Sequence, residues 1–270
     1  MQSFGILNIT ADSFSDGGRF LEPSAALARA HALLAAGADV LDLGAASSAP
    51  DAQSVPPALE ISRLTGVIDA FAAEAHRLSV DSFATEVQRW ALTRNVGYLN
   101  DIQGFADPGF YPELAESQCR LIVMHSVQGK GPARPMFVPA AEIYDRVCRF
   151  FERRLSRLLA AGIKADRLIL DPGMGMFLGT DPEASFTMLR HIKALKAAFG
   201  RPVLISVSRK SFLRRLVEAR PEDAGAASLA AELFALCSGA DFLRTHDVAA
   251  LRDGAKVLTQ LTGPLPKTAI

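Results

Sequence analysis

Cysteine is scarce: there are three in 270 residues, Cys119, Cys148 and Cys237, an odd number and widely spaced. That argues against a disulfide framework and a zinc knuckle and fits reduced thiols in a cytoplasmic protein. An excess of charge of either sign is also lacking, because 29 basic and 29 acidic residues leave a formal net charge of zero. With no basic footprint, the expected partner is a small molecule rather than nucleic acid or an anionic membrane. No apolar run is long enough to span a bilayer, and Met1 to Thr10 lacks the basic start and apolar stretch of a secretory signal. Neither an HxxxH pair nor a clustered Cys/His/Glu set points to protein-held zinc. No GxxxxGK[ST] or GxGxxG segment follows a candidate strand, which removes the common nucleotide loops.

The chain is 49% hydrophobic and 21% charged, enough to bury a large core. The expectation is one domain over residues 1–262, followed by a flexible tail at 263–270 with two prolines and no periodicity. Eight short apolar runs alternate with helical patterns. They are Phe4 to Ile9, Val40 to Gly44, Leu78 to Val80, Gly97 to Leu99, Leu121 to Met124, Leu168 to Leu170, Val203 to Val207 and Phe242 to Leu243. Eight βα units predict an α/β fold closed into a (β/α)₈ TIM barrel rather than an open sheet.

The segments between them carry apolar residues at helical spacing, such as Ile61, Leu64, Ile68 and Phe71, or Ile143, Val147, Phe150 and Phe151, Leu155 and Leu158. One helix is expected from an Asp181 cap to a Gly200 stop, with Pro182 in its first turn and Leu189, Ile192, Leu195 and Phe199 on one stripe. Two stretches rich in Ser, Asp, Gly and Pro, Thr10 to Pro23 and Ala45 to Pro57, are too long for minimal turns and are candidate lids over a site.

Nearly every run ends in a polar or ionisable residue: Asn8, Asp42, Asp81, Asn100 with Asp101, His125, Asp171, Arg209 with Lys210, and Arg244 with His246. In a parallel barrel such endings converge on the face where active sites form. Any one has a bland alternative, since a carboxylate after a strand often caps the next helix, and Asn8 can bond its own loop. Taken together, Asp81, Asn100 and Asp171 can pair with the edge of a heterocycle, whereas Lys210, Arg244 and His246 suit an anionic group. Asn8 could complete the shell of a Mg²⁺ ion held mainly by phosphate oxygens and water. The residues alone point to a barrel enzyme acting on a small, polar, anionic ligand.

The segment Gly5-Ile-Leu-Asn-Ile-Thr-Ala-Asp-Ser-Phe-Ser-Asp-Gly-Gly18 resembles the first signature of the dihydropteroate synthase family. Ser79-Val-Asp-Ser82, Asn100-Asp101, Val123-Met-His125, Leu170-Asp-Pro-Gly173, Ser208-Arg-Lys-Ser211 and Arg244-Thr-His-Asp247 are similar to its later motifs, in the same order. The resemblance implies a transferase of folate biosynthesis. It would condense 6-hydroxymethyl-7,8-dihydropterin pyrophosphate with p-aminobenzoate, with Mg²⁺ present, in a homodimer. By motif, Asp81, Asn100, Asp171, Lys210 and Arg244 would hold the pterin, and Asn8, Arg244 and His246 the pyrophosphate. Ser48, Pro50, Phe177 and Ser211 would line the p-aminobenzoate side. Asp81, Lys210, Arg244 and His246 would carry the catalytic work.

Two departures stand out. The family's Ser-Thr-Arg-Pro is here Ser47-Ser-Ala-Pro50, so Ala49 replaces a cation. The family's Phe-Gly-Phe-Gly-Lys is here Met174-Gly-Met-Phe-Leu-Gly179, longer and without the lysine. Both resemble the divergent synthases of sulfonamide resistance, and an inserted Phe177 could repel the bulkier drug while admitting p-aminobenzoate, although ordinary packing at the barrel mouth would also account for it. A pterin-binding methyltransferase barrel and a pterin binder without turnover are the alternatives. The anion-side motifs Ser208-Arg-Lys-Ser and Arg244-Thr-His argue against both.

Overall fold

The computed structural model describes residues 1–10, 23–47, 53–129 and 131–263. The strands are β1 (Gln2–Asn8), β2 (Val40–Gly44), β3 (Leu78–Asp81), β4 (Tyr98–Asp101), β5 (Arg120–Met124), β6 (Leu168–Asp171), β7 (Leu204–Ile205) and β8 (Phe242–Thr245). All ladders are parallel, in the order β6-β5-β4-β3-β2-β1-β8-β7. A parallel bridge from Leu170 to Val203 joins the two ends, so the sheet is a (β/α)₈ barrel, as the eight runs predict.

Ten α-helices are described: α1 (Pro23–Ala35), α2 (Pro57–Ala70), α3 (Thr85–Thr93), α4 (Tyr111–Glu116), α5 (Ala140–Ala160), α6 (Pro182–Arg190), α7 (Ile192–Phe199), α8 (Ser211–Leu216), α9 (Gly225–Cys237) and α10 (Val248–Thr262). Their apolar stripes lie on the outside of the barrel, where α5 buries Ile143, Val147, Phe151, Leu155 and Leu158. One apolar cluster between sheet and helices runs from Leu7 to Leu251.

Inside the barrel, side chains alternate with a period of two along each strand, and this alternation builds the site. The floor is apolar: Phe4, Val40, Tyr98, Ile122, Ile169, Leu204 and Phe242. Phe4 meets Tyr98 and Phe242 edge-on, at centroid distances of 5.1 and 5.7 Å. Two residues further along, five of these seven positions give way to Asp42, Asn100, Asp171, Ser206 and Arg244, while β1 and β5 present Ile6 and Met124. The barrel is therefore apolar at its base and largely polar at its carboxyl end.

Two expectations need correction. The helix expected from Asp181 to Gly200 is two helices, broken at His191. The Asp181 carboxylate does cap Glu183 N at 2.9 Å and Gly200 does adopt the left-handed turn. Between them, the His191 ring bonds the Thr187 carbonyl at 2.7 Å and His191 N turns to Met188, which breaks the regular ladder. The seventh strand is shorter than Val203 to Val207: Val203 forms only an isolated bridge to Leu170, its N donating to the Asp241 carboxylate at 2.9 Å, and Ser206 and Val207 lie beyond the strand.

The two expected lids fall largely on residues 11–22 and 48–52, outside the described residues, as do Ser48, Ala49 and Pro50. The expected tail is likewise outside them from residue 264 onward.

Candidate active site

The polar layer opens into a cleft of about 540 Å³ at the carboxyl ends of the strands. A small inner recess of about 30 Å³ shares its wall. Asn100 and Asp171 line the recess, Asn8, Ser211 and His246 line the cleft, and Asp81, Lys210, Arg244 and Phe177 stand at the boundary, lining both. Of the eleven predicted site residues, nine are thus brought together, and the other two, Ser48 and Pro50, lie outside the described residues.

Arg244 is the hub. Its Nη2 donates to Asp81 Oδ2 at 2.7 Å, and its Nε donates to Asp42, which also accepts from Ser79 Oγ at 2.5 Å. Although burial opposes its charge, the two carboxylates keep the guanidinium firmly protonated. Burial raises Asp81 to about 7 despite the neighbouring Arg244, and raises Asp171 to about 6 against the Gly173 amide and the Lys210 cation. Burial lowers Lys210 to about 8, with Arg244 pushing the same way. Such shifts accompany groups gathered in a desolvated cleft. The Asn100 Oδ1 is buried with no donor among the described residues, an acceptor that a ligand N–H can satisfy.

The anion side is held from behind by α9. Ser228 Oγ accepts from Arg209 N at 2.9 Å, which steadies a non-glycine residue at φ 59° and turns Lys210 inward. One helical turn on, Glu232 is 2% exposed and has an Oε1 without a partner among the described residues. Burial raises its carboxyl to about 7, against a hydrogen bond with Thr245. His246 meets Ser208 Oγ through both its backbone N at 3.2 Å and its Nδ1 at 3.0 Å. Burial, then the surrounding arginines and Lys210, lower it to about 3, so it faces the cleft as a neutral imidazole.

His125 and Asp101, counted among the converging endings, do not reach the site. Asn100 and Met124 take the inward positions, so the next residue on each strand points to the helix layer. His125 bonds the Pro172 carbonyl at 3.0 Å and meets Phe150 edge-on. Asp101 accepts from Gln103 N, Phe105 N and Gln88 Nε2. Gln88 also donates to the Ser82 carbonyl at 2.7 Å, so one amide ties the ends of β3 and β4 and sets Asp81 beside Asn100.

Phe177, 6% exposed, packs on Ile102, Met124 and Ala133, and the Lys210 ammonium lies 5.1 Å from its ring centroid. It both packs the mouth and lines the cleft. Its loop is stitched to the segment after β5: Val127 N donates to Phe177 O at 3.0 Å, Gln128 Nε2 to Met176 O at 2.9 Å and Thr180 N to Met136 O at 2.8 Å. Gly179 is required there, because at φ 117° an added Cβ would come within 2.8 Å of Met136 O. Arg214, Met174 and Ser206 also line the cleft and were missed in the sequence. Arg214 left a signal, lying one helical turn after Lys210, and Met174 opens the divergent Met174–Gly179 stretch.

Against known proteins, residues 4–246 match the family described as pterin binding enzyme. The chain is 55% identical over 258 residues to dihydropteroate synthase type-2 of Escherichia coli, covering 96% of this chain and 95% of that one. It belongs to the dihydropteroate synthase family. A dihydropteroate synthase of Xanthomonas albilineans, solved with 4-aminobenzoic acid, superposes with a TM-score of 0.88 at 35% identity, covering 97% of this chain and 93% of that one. The same synthase with 7,8-dihydropteroate gives a TM-score of 0.84 at 35% identity, with 97% and 94% covered. The whole synthase barrel is therefore matched, rather than a local motif.

Proposed function

We propose that this chain catalyses the dihydropteroate synthase reaction: the amine of p-aminobenzoate displaces pyrophosphate from 6-hydroxymethyl-7,8-dihydropterin pyrophosphate, giving 7,8-dihydropteroate. The observation that carries the residue roles is the unpaired Asn100 Oδ1 between the buried Asp171 and the partly buried Asp81 carboxylates, in a recess opening onto a cationic cleft. An aminopyrimidinone edge supplies the N–H donors that Asn100, Asp81 and Asp171 accept, and Lys210 donates to a ring acceptor. At about 30 Å³ the recess is too small for a pterin, so binding would open it by moving Arg244 or Phe177, which line both spaces.

As the carbon–oxygen bond to pyrophosphate breaks, positive charge grows on the pterin methylene and negative charge on the leaving group. Asp81 and Asp171 stabilise the first, and Arg244, Lys210 and a neutral His246 N–H the second. The arylamine is already uncharged at neutral pH, so positioning rather than a strong base governs its attack, and as the carbon–nitrogen bond forms the amine passes its proton to water or to the departing pyrophosphate. Among the described residues no group of three or more His, Cys, Asp or Glu can hold an ion. A Mg²⁺ would instead be held by pyrophosphate oxygens, water and Asn8, where it would neutralise charge on the leaving group.

Ser211 and Phe177 would line the p-aminobenzoate site, with Phe177 repelling sulfonamides and making the enzyme drug-insensitive. The expected homodimer fits exposed Phe234 on α9 and Val257 and Leu261 on the neighbouring α10, which are 47%, 59% and 78% exposed. Among the described residues, no helix is long and apolar enough to cross a membrane. Calorimetric titration with pterin pyrophosphate tests the residue roles. Asn100→Leu should weaken binding at least about tenfold, since it removes an acceptor from a buried contact. Unchanged affinity would remove Asn100 from the pterin site.

A further inference from the structure

Arg214 belongs to α8, three residues after Ser211 and one turn after Lys210, to whose carbonyl its backbone N donates at 3.2 Å. It lines the open cleft but not the inner recess. Its Nε is buried and has no partner among the described residues. Arg244, by contrast, is already committed to Asp42 and Asp81. A guanidinium nitrogen buried without an acceptor costs free energy unless a ligand supplies one. Ser211 Oγ stands on the same side of the cleft, 3.7 Å from where a Cβ on Gly175 would lie, so it flanks the divergent Met174–Gly179 loop.

We propose that Arg214, together with Ser211, binds the carboxylate of the arylamine substrate. The argument rests on the p-aminobenzoate reading above. The amine must meet the pterin methylene where recess and cleft join, at Lys210, Arg244 and Phe177. Amine and carboxylate occupy opposite ends of a rigid ring, so the carboxylate is directed outward into the cleft that Arg214 and Ser211 line. A guanidinium beside a hydroxyl suits a carboxylate, because it can donate two parallel hydrogen bonds.

Steady-state kinetics with p-aminobenzoate and the uncharged 4-aminobenzamide provide the test. Arg214→Met should raise KM for p-aminobenzoate about tenfold or more while moving that for 4-aminobenzamide by less than about twofold, and Arg214→Lys should recover part of the loss. Calorimetry with pterin pyrophosphate on the same samples should give unchanged affinity, showing that the variants keep the folded cleft. An equal loss for both amines, or a preference for p-aminobenzoate that survives Arg214→Met, overturns the role of Arg214 but leaves the substrate reading intact. If the unaltered enzyme does not distinguish the two amines, the p-aminobenzoate reading fails, and this inference with it.

Discussion

Asp42 and Arg244 are joined through the guanidinium Nε across the barrel interior, with β1 lying between their strands. Asp42 is fully buried and lines neither the cleft nor the recess, so it acts through the arginine that it aims. Asp42→Asn keeps a hydrogen-bonding side chain of the same shape but removes the charge. Breaking one partner of a buried ion pair costs about 3–5 kcal/mol. The variant should therefore melt at lower temperature and lose at least about tenfold in kcat/KM for pterin pyrophosphate, at ~1.4 kcal/mol per decade. Wild-type kinetics in this variant would show that Asp81 alone positions Arg244.

The recess also dictates a pH profile. Carboxylates that accept pterin N–H groups must be ionised, so kcat/KM should rise as pH passes about 6 for Asp171 and about 7 for Asp81. Lys210 contributes only while protonated, so activity should fall again above about 8. Lys210→Arg, whatever its residual rate, should lift the alkaline limb because a guanidinium does not deprotonate in this range. An alkaline limb that stays in place would assign it to another group.

Phe177 is expected to discriminate against the drug. Phe177→Ala should lower the sulfonamide concentration for half inhibition at least about fivefold, a clash of roughly 1–3 kcal/mol being relieved. Gln128→Met, which cuts the tie to the Met176 carbonyl, should shift inhibition in the same direction by a smaller amount. Dose–response curves in competition with p-aminobenzoate read both. Unchanged inhibition in Phe177→Ala would leave that ring as packing alone.

Glu232 is a carboxylate whose burial opposes its charge. Its folded value of about 7 lies above the ordinary 4.5, so the native state holds the proton more tightly than the unfolded chain. Stability from this group is complete below about 4.5 and is lost as pH rises through about 7. Glu232→Gln keeps the shape without the titration, so its Tm should fall less than that of the parent between pH 5 and 8, pH values chosen to bracket this window. The difference approaches ~3 kcal/mol at ~1.4 kcal/mol for each tenfold of proton affinity. Parallel melting curves would show that Glu232 is ionised throughout.

The barrel was legible in the sequence because each strand is a short β-rich run and each helix carries a regular stripe. The site was legible because polar strand ends converge in such a fold. His125 and Asp101 misled because adjacency in sequence is not adjacency on a face: with a period of two, only alternate residues enter the barrel. His191 broke a helix through a local side-chain bond to Thr187, which apolar spacing does not reveal. Arg214 was passed over because nothing in its own residue type separates it from Arg215, whose guanidinium instead reaches the Thr180 carbonyl. Ser228 and Glu232 lie on α9, a segment in which the sequence offers no motif that points to the site.

The most direct test is pyrophosphate release by purified protein given pterin pyrophosphate and Mg²⁺, with p-aminobenzoate absent, present, or present with a sulfonamide. The account predicts release that requires p-aminobenzoate and persists with the drug. Release that does not depend on the arylamine would contradict it.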